Sequence, residues 1–204
     1  MHLLDVQNVQ KVYTAGLFRR QASFSLNASF SVPEPEIIGV LGPNGSGKTT
    51  LFELLSGSNV PTRGKVAILG QDIQRVKYDQ RDRLAIHYHQ SYQVRSVKKT
   101  LPSFMLEKTS SDYPLVHIFD EPQFSTQDGY IGFMLSFFRR LREQGRVVFL
   151  CVHPCETFHL DILRQNCKRY LFVSKGQVSE LPSWDGLCAH PGVDEYLTLA
   201  HGQR

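Results

Sequence analysis

The chain has 204 residues, of which 41% are hydrophobic and 21% are charged, and its formal net charge is +4. These proportions are ordinary for a globular protein of this length, so we expect one domain over residues 1–204. The basic residues are scattered rather than gathered in a stripe, so we expect no nucleic-acid partner. The sequence opens without a signal peptide and has no apolar run of about 20 residues, which predicts a cytoplasmic chain.

The first half of the sequence predicts an antiparallel sheet that leads into a buried strand. Residues 36–42, EIIGVLG, form a nearly continuous apolar run, which is typical of a strand buried on both faces. Residues 49–57 predict a helix that ends at Gly57. The other predicted elements are strands at 2–13 and 22–32 and a hairpin segment at 61–73, with turns at Pro61 to Gly64 and at Gly70.

The second half alternates between strand and helix patterns. Together with the first half this predicts a mixed α/β fold. The predicted elements are strands at 115–120, 146–152, 169–173 and 177–181, helices at 131–145 and 155–166, and a turn at 174–176. The tail, residues 182–204, contains no recognisable site, and we expect its Trp184 to pack on the core or on a partner.

A glycine-rich loop follows the buried strand. Residues 42–49, GPNGSGKT, fit the pattern G-x-x-x-x-G-K-[ST] between a strand and a helix. In this motif, backbone N–H groups surround a β-phosphate, and the helix N-terminus favours the anion. Lys48 would reach the outer phosphates, and Thr49 would offer its hydroxyl to Mg²⁺. The alternative is a chance glycine-rich turn, which these flanking elements argue against.

Two adjacent acids end a later strand, in VHIFDEP at residues 116–122. Asp120 follows a mainly apolar stretch, so we expect it at the end of a buried strand beside the phosphate loop. It would hold Mg²⁺ directly or through water. Glu121 could position and deprotonate an attacking water. The alternative is a pair of surface carboxylates, which the apolar strand disfavours.

Two histidine and cysteine patterns admit a metal interpretation. The segment HYH would place His87 and His89 on one face of a strand, but two ligands are few for a metal site. The segment CVHPC, followed by His159, could form a zinc site. We favour a buried strand thiol for Cys151 because it lies in the apolar run VVFLCV.

The loop GPNGSGKTTL with the later IFDEP resembles the ATP-binding cassette (ABC) ATPase family, and the resemblance covers most of the chain. It implies a P-loop NTPase core of the RecA-like kind with an N-terminal antiparallel β-subdomain. It also implies catalytic roles for Glu121, His153 and Gln90, and Mg²⁺ contacts for Thr49, Gln90 and Asp120. The implied ATP-binding residues are Tyr13, which would stack on adenine, Gly42, Pro43, Asn44, Gly45, Ser46, Gly47, Lys48, Thr49, Thr50 and Asp120.

Three of these matches depend on position along the chain. Gln90 matches the family's glutamine loop, which senses Mg²⁺ and the membrane partner, and Gln93 is the alternative if the alignment shifts. Asp128 matches the aspartate of a loop after the acids. His153, after VVFLCV, matches the histidine that contacts the γ-phosphate. For His153 and Tyr13 the competing interpretation is a purely structural strand residue.

The family's helical subdomain is largely missing from this sequence. Little chain separates Gln90 from Asp120, and residues 91–114 would form a truncated helical and signature region. Counting back from Asp120, the LSGGQ-like signature should begin near Ser96. The residues at 96–100 are SVKKT, with lysines in place of both glycines, and residues 101–114 would be a shortened remnant of the following helix.

A degenerate signature has consequences for assembly. Sites of this family form between two subunits, one of which presses its signature on the γ-phosphate of the other. We therefore expect a heteromer with another ABC ATPase subunit rather than a homodimer, together with a membrane-embedded subunit. The expected function is ATP binding and hydrolysis in a transport complex, at the cytoplasmic face of a membrane, with low activity for the isolated chain.

Two other functions remain open. The chain could be a regulatory or structural subunit that binds ATP with little or no hydrolysis. It could also be a P-loop kinase or a nucleic-acid ATPase, but no lid arginines, coiled-coil insertion or basic stripe support that interpretation.

Overall fold

A ten-stranded sheet forms the centre of the molecule. The computed structural model describes residues 1–15, 21–89, 114–122, 130–154 and 157–202. The strand order across the sheet is β5-β4-β1-β2-β10-β9-β3-β8-β7-β6. The strands are β1 (Leu4–Ala15), β2 (Gln21–Val32), β3 (Ile37–Leu41), β4 (Arg63–Ile68), β5 (Gln71–Asp72), β6 (Ala85–His89), β7 (Val116–Asp120), β8 (Val147–Cys151), β9 (Arg169–Ser174) and β10 (Gln177–Leu181).

The sheet has an antiparallel part and a parallel part. Strands β5, β4, β1 and β2 pair antiparallel, whereas β9, β3, β8, β7 and β6 are all parallel. Strand β10 joins the two parts, antiparallel to β9 and parallel to β2, where Gln177 lies opposite Asn27. The mixed α/β fold and its antiparallel N-terminal strands, both predicted from the sequence, are confirmed.

Six described helices connect or flank the strands. They are α1 (Lys48–Leu55), α2 (Tyr78–Arg81), α3 (Tyr130–Glu143), α4 (Thr157–Asn166), α5 (Trp184–Cys188) and α6 (Pro191–Gly202). Within the described part of the chain, no helix has the length and apolarity that crossing a membrane requires.

The central strands owe their position to their apolar sequences. Every residue of β3, β7 and β8 is buried, as expected of parallel strands covered on both faces. One apolar cluster, which includes Leu51 and Phe52 of α1, fills one side of the sheet. A second cluster, which includes Phe137 and Phe138 of α3, fills the other. Strands β3, β8 and β7 lie side by side and run parallel, so the carboxyl ends of β3 and β7 lie at the same end of the sheet.

The C-terminal segment packs on this second cluster. The ring of Trp184 contacts Tyr170 edge-on, with the ring centroids 5.7 Å apart. Phe172 contacts Tyr196 of α6, at a centroid distance of 6.2 Å. The segment after residue 182 thus forms two helices whose aromatic side chains contact β9, and Trp184 packs on the core of the chain.

The turn predicted at residues 174–176 is present in the structure, whereas the turn predicted to end at Gly64 is not placed as expected. Lys175 and Gly176 both have positive φ between β9 and β10, as a tight hairpin requires. Gly64, expected in a turn, lies instead inside β4 with a φ of 76°. A Cβ there would come within 2.3 Å of the Asn8 carbonyl oxygen, where the pairing of β1 and β4 shifts register. Gly64 therefore belongs to an irregularity of the sheet.

Candidate functional site

The glycine-rich loop, residues 42–47, connects β3 to α1 and is shaped by close backbone contacts. Gly42 has a φ of 149°, and a Cβ at this position would lie 2.0 Å from the carbonyl oxygen of Val173 in β9. Gly47 caps α1 with a φ of 113°, and a Cβ there would lie 2.8 Å from Cζ of Phe24. Only glycine fits at Gly42, so the loop is held tightly against the sheet.

Lys48 is turned into this loop. Its side chain is buried, and Nζ donates hydrogen bonds to the carbonyl oxygens of Gly42 at 2.7 Å and Pro43 at 3.1 Å. Both of these partners are neutral carbonyl oxygens, so the ammonium group is placed to bind an anion that enters the loop.

The two acids lie where the parallel strands end. Asp120 is the last residue of β7, opposite Cys151 of β8 and His89 of β6. Its carboxylate is buried, and Oδ2 lies 3.4 Å from the Thr49 hydroxyl of α1. Burial raises the pKa of the Cys151 thiol, and the charge of Asp120 adds to this effect, so Cys151 is a neutral strand residue.

Glu121 has an uncommon backbone conformation. Its φ is 51°, in the left-handed region, and its N–H donates to the Cys151 carbonyl oxygen at 3.1 Å. This conformation costs a non-glycine residue roughly 1–2 kcal/mol. The pairing of β7 with β8 ends at Asp120, and the half-buried Glu121 side chain lines the same cavity as Asp120.

The loop and the acids surround one cavity of about 300 Å³. Most of its lining residues are among the candidates from the sequence, and one, Phe24, is new. The lining residues are Phe24, Asn44, Gly45, Gly47, Lys48, Thr49, Thr50, Asp120 and Glu121. Gly42, Pro43 and Ser46 shape the loop itself.

Magnesium fits this donor set. Thr49 Oγ1 and Asp120 Oδ2 are oxygen donors on one side of the cavity, and Lys48 faces the loop. Oxygen donors beside a phosphate-binding loop suit a hard divalent cation that is shared with phosphate oxygens.

Phe24 is the residue that the sequence interpretation missed. It lies opposite Tyr13 in the pairing of β2 with β1, and the two ring centroids are 6.2 Å apart. Its ring packs on Gly47 at the entrance of the phosphate loop. The alternation of Phe24, Leu26 and Phe30 on one face of β2 could have suggested it, but only the strand pairing places it at the loop.

Tyr13 lies beside the cavity rather than in its lining. Its hydroxyl accepts a hydrogen bond from Nδ2 of Asn59 at 2.7 Å, and the same amide donates to Oε2 of Glu53 in α1 at 2.9 Å. Lys11 lies over the Tyr13 ring, at 5.2 Å from its centroid. The ring is thus connected to α1, the helix that begins at the phosphate loop.

Several other candidates lie elsewhere. His153 follows β8, and its Nδ1 is 3.4 Å from the Tyr196 hydroxyl of α6, so the structure joins it to the C-terminal helix rather than to the cavity lining. Gln90, Gln93, Asp128 and the signature positions 96–100 are outside the described residues, as is nearly all of the expected truncated region 91–114.

The sequence offered His87 and His89 as a possible pair of metal ligands, and in the structure His87 lies beside Asp120. Nε2 of His87 lies 3.3 Å from Oδ2 of Asp120, the oxygen that also faces Thr49. The side chain of His89 is not described. His87 of the HYH pattern therefore contacts the acid that lines the cavity.

Known proteins resemble this chain both in sequence, in the part that contains the glycine-rich loop, and in fold. Residues 26–110 match the family model "ABC transporter". The methionine import ATP-binding protein MetN of Geobacillus kaustophilus is 37% identical over 75 residues, which are 37% of this chain and 21% of that protein. The energy-dependent translational throttle protein EttA of Escherichia coli K12 is 37% identical over 78 residues, which are 38% of this chain and 13% of that protein.

The likeness in fold extends over nearly the whole chain. A nucleotide-free ATP-binding cassette from an ABC transporter has a TM-score of 0.69 and 17% identity, covering 97% of this chain and 99% of that chain. The match to MetN and EttA, by contrast, spans about a fifth or less of their length. Over residues 26–110 the chain is thus similar in sequence to ABC transporter ATP-binding proteins, and over nearly its whole length it has the fold of ATP-binding cassette domains.

Proposed function

We propose that this chain is the ATP-binding and ATP-hydrolysing subunit of an ABC-type transport complex, and that a partner supplies an intact signature motif. The supporting observation is that Lys48, Thr49, Asp120 and Glu121 line one cavity, although the loop and the acids are far apart in the sequence. The cavity contains the positive charge, the oxygen donors and the carboxylate that a nucleotide triphosphate and its hydrolysis require.

Phosphate binding would begin in the loop. The backbone N–H groups of residues 44–47 and the start of α1 would surround the β-phosphate. Lys48 would exchange the carbonyl oxygens of Gly42 and Pro43 for the outer phosphate oxygens. The exchange is favourable because the phosphate oxygens carry negative charge, which attracts the ammonium group more strongly than neutral carbonyl oxygens do.

Thr49 and Asp120 would hold Mg²⁺, with Gln90 as a third contact implied by the family resemblance. Mg²⁺ would supply charge neutralisation between the phosphates. Asp120 would keep its orientation because its carboxylate is buried and already faces the Thr49 hydroxyl. Tyr13 would provide the stacking surface for the base, with Phe24 at the mouth of the loop.

Glu121 would act as general base for the attacking water. Its left-handed φ and its placement one residue beyond the buried acid support this role, because strained backbone is common at catalytic positions. The Nδ1 atom of His153 lies near the Tyr196 hydroxyl, so its other ring nitrogen, Nε2, would contact the γ-phosphate. We infer that this contact forms when the chain closes on a partner subunit.

The partner is proposed from the sequence at 96–100, SVKKT, which lacks the glycines of a signature. A second ABC ATPase subunit with an intact signature would complete the site that contains this chain's Lys48. The pair would act with a membrane-embedded subunit, on the cytoplasmic face of the membrane. Loss of the donors that a signature supplies could lower turnover of the isolated chain by about 10²–10³.

The test combines binding and turnover. ATP affinity of the purified chain is measured by calorimetry, and hydrolysis is measured alone and with subunits that co-purify with it. We expect the wild type to bind Mg·ATP, Lys48→Ala to lose that binding, and turnover to rise when the partner is added. A folded wild-type chain without ATP affinity would refute the proposal.

The regulatory alternative makes a different prediction in the same assay. Glu121→Gln should abolish turnover and trap ATP if the chain hydrolyses it. If the wild type and Glu121→Gln hold ATP for the same time in the presence of the partner, the chain is a nucleotide-binding switch rather than an ATPase.

A further inference from the structure

His87 has no part in the proposed function above, yet its imidazole faces the acid of the metal site. Nε2 of His87 and Oδ2 of Asp120 are 3.3 Å apart, and these side chains are only 13% and 7% exposed. A carboxylate oxygen accepts hydrogen bonds, so in a hydrogen bond between these two groups the donor is Nε2. Little water competes for either group at this exposure.

The geometry that holds the imidazole in place is independent of the acid. The ring of His87 meets Phe52 edge-on, with the centroids 5.6 Å apart. Phe52 is fully buried in α1, the helix that also carries Thr49. The ring therefore lies between the core of α1 and the carboxylate of β7, and its orientation is fixed by packing.

Thr49 and His87 approach the same oxygen of Asp120. The Thr49 hydroxyl is 3.4 Å from Oδ2, and His87 Nε2 is 3.3 Å from it. Two groups directed at one oxygen restrict rotation of the carboxylate about its last torsion. Groups that form a hydrogen bond with a metal ligand but do not bind the metal orient that ligand, and their loss typically lowers metal affinity by about 10–100-fold.

We propose that His87 is a positioning residue of the metal site, which holds the Asp120 carboxylate ready for the divalent cation that accompanies the nucleotide. This inference rests on the proposed ATP-binding function. His87 would act through Asp120, because it is not among the residues that line the cavity of the glycine-rich loop. Its effect is therefore on the metal dependence of nucleotide binding rather than on binding of the nucleotide itself.

The experiment compares His87→Phe with His87→Gln. Phenylalanine keeps an aromatic ring against Phe52 but lacks the N–H group, whereas glutamine places an N–H donor at a reach similar to Nε2. Binding of adenylyl imidodiphosphate, a non-hydrolysable ATP analogue, is measured by calorimetry in EDTA and over a series of Mg²⁺ concentrations. Circular dichroism and thermal unfolding check that each variant is folded.

The expected result is specific to the metal. The Mg²⁺ concentration at half-maximal enhancement of binding should rise about tenfold in His87→Phe. Affinity in EDTA should stay that of the wild type, and His87→Gln should restore most of the Mg²⁺ dependence. If His87→Phe does not fold, His87→Met replaces it, since methionine fills irregular space without an N–H donor, and the same result is expected.

Three outcomes overturn the inference. A wild-type Mg²⁺ dependence in His87→Phe would show that Asp120 is oriented without His87. An equal loss of affinity in EDTA would indicate a general packing defect. A glutamine variant as impaired as the phenylalanine variant would exclude the N–H donor as the cause. If the wild type itself fails to bind the analogue, the proposed function fails and this inference fails with it.

Discussion

Thr49 and Asp120 are 71 positions apart in the sequence, yet Oγ1 of one lies 3.4 Å from Oδ2 of the other. Thr49 lies in the first turn of α1, after the glycine-rich loop, and Asp120 ends the parallel strand β7. The two elements come close because α1 follows the carboxyl end of β3, and β3, β8 and β7 run parallel side by side, with only β8 between β3 and β7. A site of this kind depends on both residues together, and its energetics should be coupled.

The coupling can be measured with a double-mutant cycle. Thr49→Val and Asp120→Asn should each weaken Mg²⁺-dependent nucleotide binding, and the double variant should lose less than the sum because the two groups share one cation. Calorimetry with and without Mg²⁺ gives the four affinities. Additive losses would mean that the two groups do not hold the same ion.

Gly42 should tolerate no side chain. In Gly42→Ala the Cβ would lie 2.0 Å from the Val173 carbonyl oxygen, and a strand carbonyl cannot easily move. We expect a loss of about 3 kcal/mol in the free energy of unfolding, the upper end for overpacking. The measurement is urea denaturation in the absence of nucleotide.

Gly45→Ala is the matched control for this change. Gly45 lies in the same loop, also has a positive φ, and has no atom within 4 Å of a Cβ built on it, in the described part of the chain. Only backbone strain of about 1 kcal/mol should appear. Equal losses in the two variants would contradict the steric explanation.

Glutamate at position 121 should give a lower free energy of unfolding than glycine would at the same position. Its φ of 51° suits glycine. Glu121→Gly should therefore be as stable as the wild type or up to about 1 kcal/mol more stable, while hydrolysis is lost. Glu121→Gln keeps the backbone strain and should show wild-type stability with the same loss of hydrolysis. A markedly destabilised glycine variant would argue that the turn is unstrained.

His117 should make stability depend on pH. Burial lowers its pKa to about 3, and Arg146 contributes in the same direction, although a backbone hydrogen bond at Pro114 opposes them. The unfolded chain binds a proton near the ordinary histidine pKa of about 6.5, and the folded chain does not. The free energy of unfolding should therefore fall as pH decreases from about 6.5 towards 3, by up to about 1.4 kcal/mol per pH unit.

The control is His117→Gln, which can still reach the Tyr88 hydroxyl, now 3.1 Å from Nδ1. Its unfolding free energy should change less steeply over the same pH interval. Urea denaturation between pH 4 and 7 measures both slopes. Parallel curves for the variant and the wild type would show that His117 is not the group responsible.

The sequence predicted the glycine-rich loop between β3 and α1 and the buried strands well because these are local patterns. A glycine with positive φ, a run of apolar residues or an acid at a strand end can be recognised without knowledge of the partner element. The turn predicted at 174–176, where Lys175 and Gly176 have positive φ, is also a local pattern.

The contacts of His87 and Phe24 could not be predicted in this way. His87 meets Asp120 because β6 and β7 pair in parallel, with His87 opposite Ile118. Phe24 meets the loop because β2 pairs with β1 and packs on Gly47. Both relationships arise from strand register, which residue spacing alone does not define.

Asn59 should control how well Tyr13 binds a base. Its side-chain amide donates to the Tyr13 hydroxyl and to Glu53, and its backbone carbonyl oxygen accepts a hydrogen bond from Nε2 of Gln74 at 2.7 Å. Hydrogen bonds therefore hold both the side chain and the backbone of Asn59. Base stacking on an aromatic ring contributes about 1–3 kcal/mol. Asn59→Ala frees the ring, so we expect a severalfold loss of ATP affinity, smaller than the loss in Tyr13→Ala.

Inorganic tripolyphosphate separates this effect from a general defect, since it binds the loop and has no base. Its affinity should be the same in the wild type, Asn59→Ala and Tyr13→Ala. Tyr13→Phe removes only the hydroxyl that Asn59 bonds, so adding Asn59→Ala to it should cause little further loss of ATP affinity. If tripolyphosphate affinity falls in step with ATP affinity, Asn59 acts on the phosphate loop through α1 and not on the base.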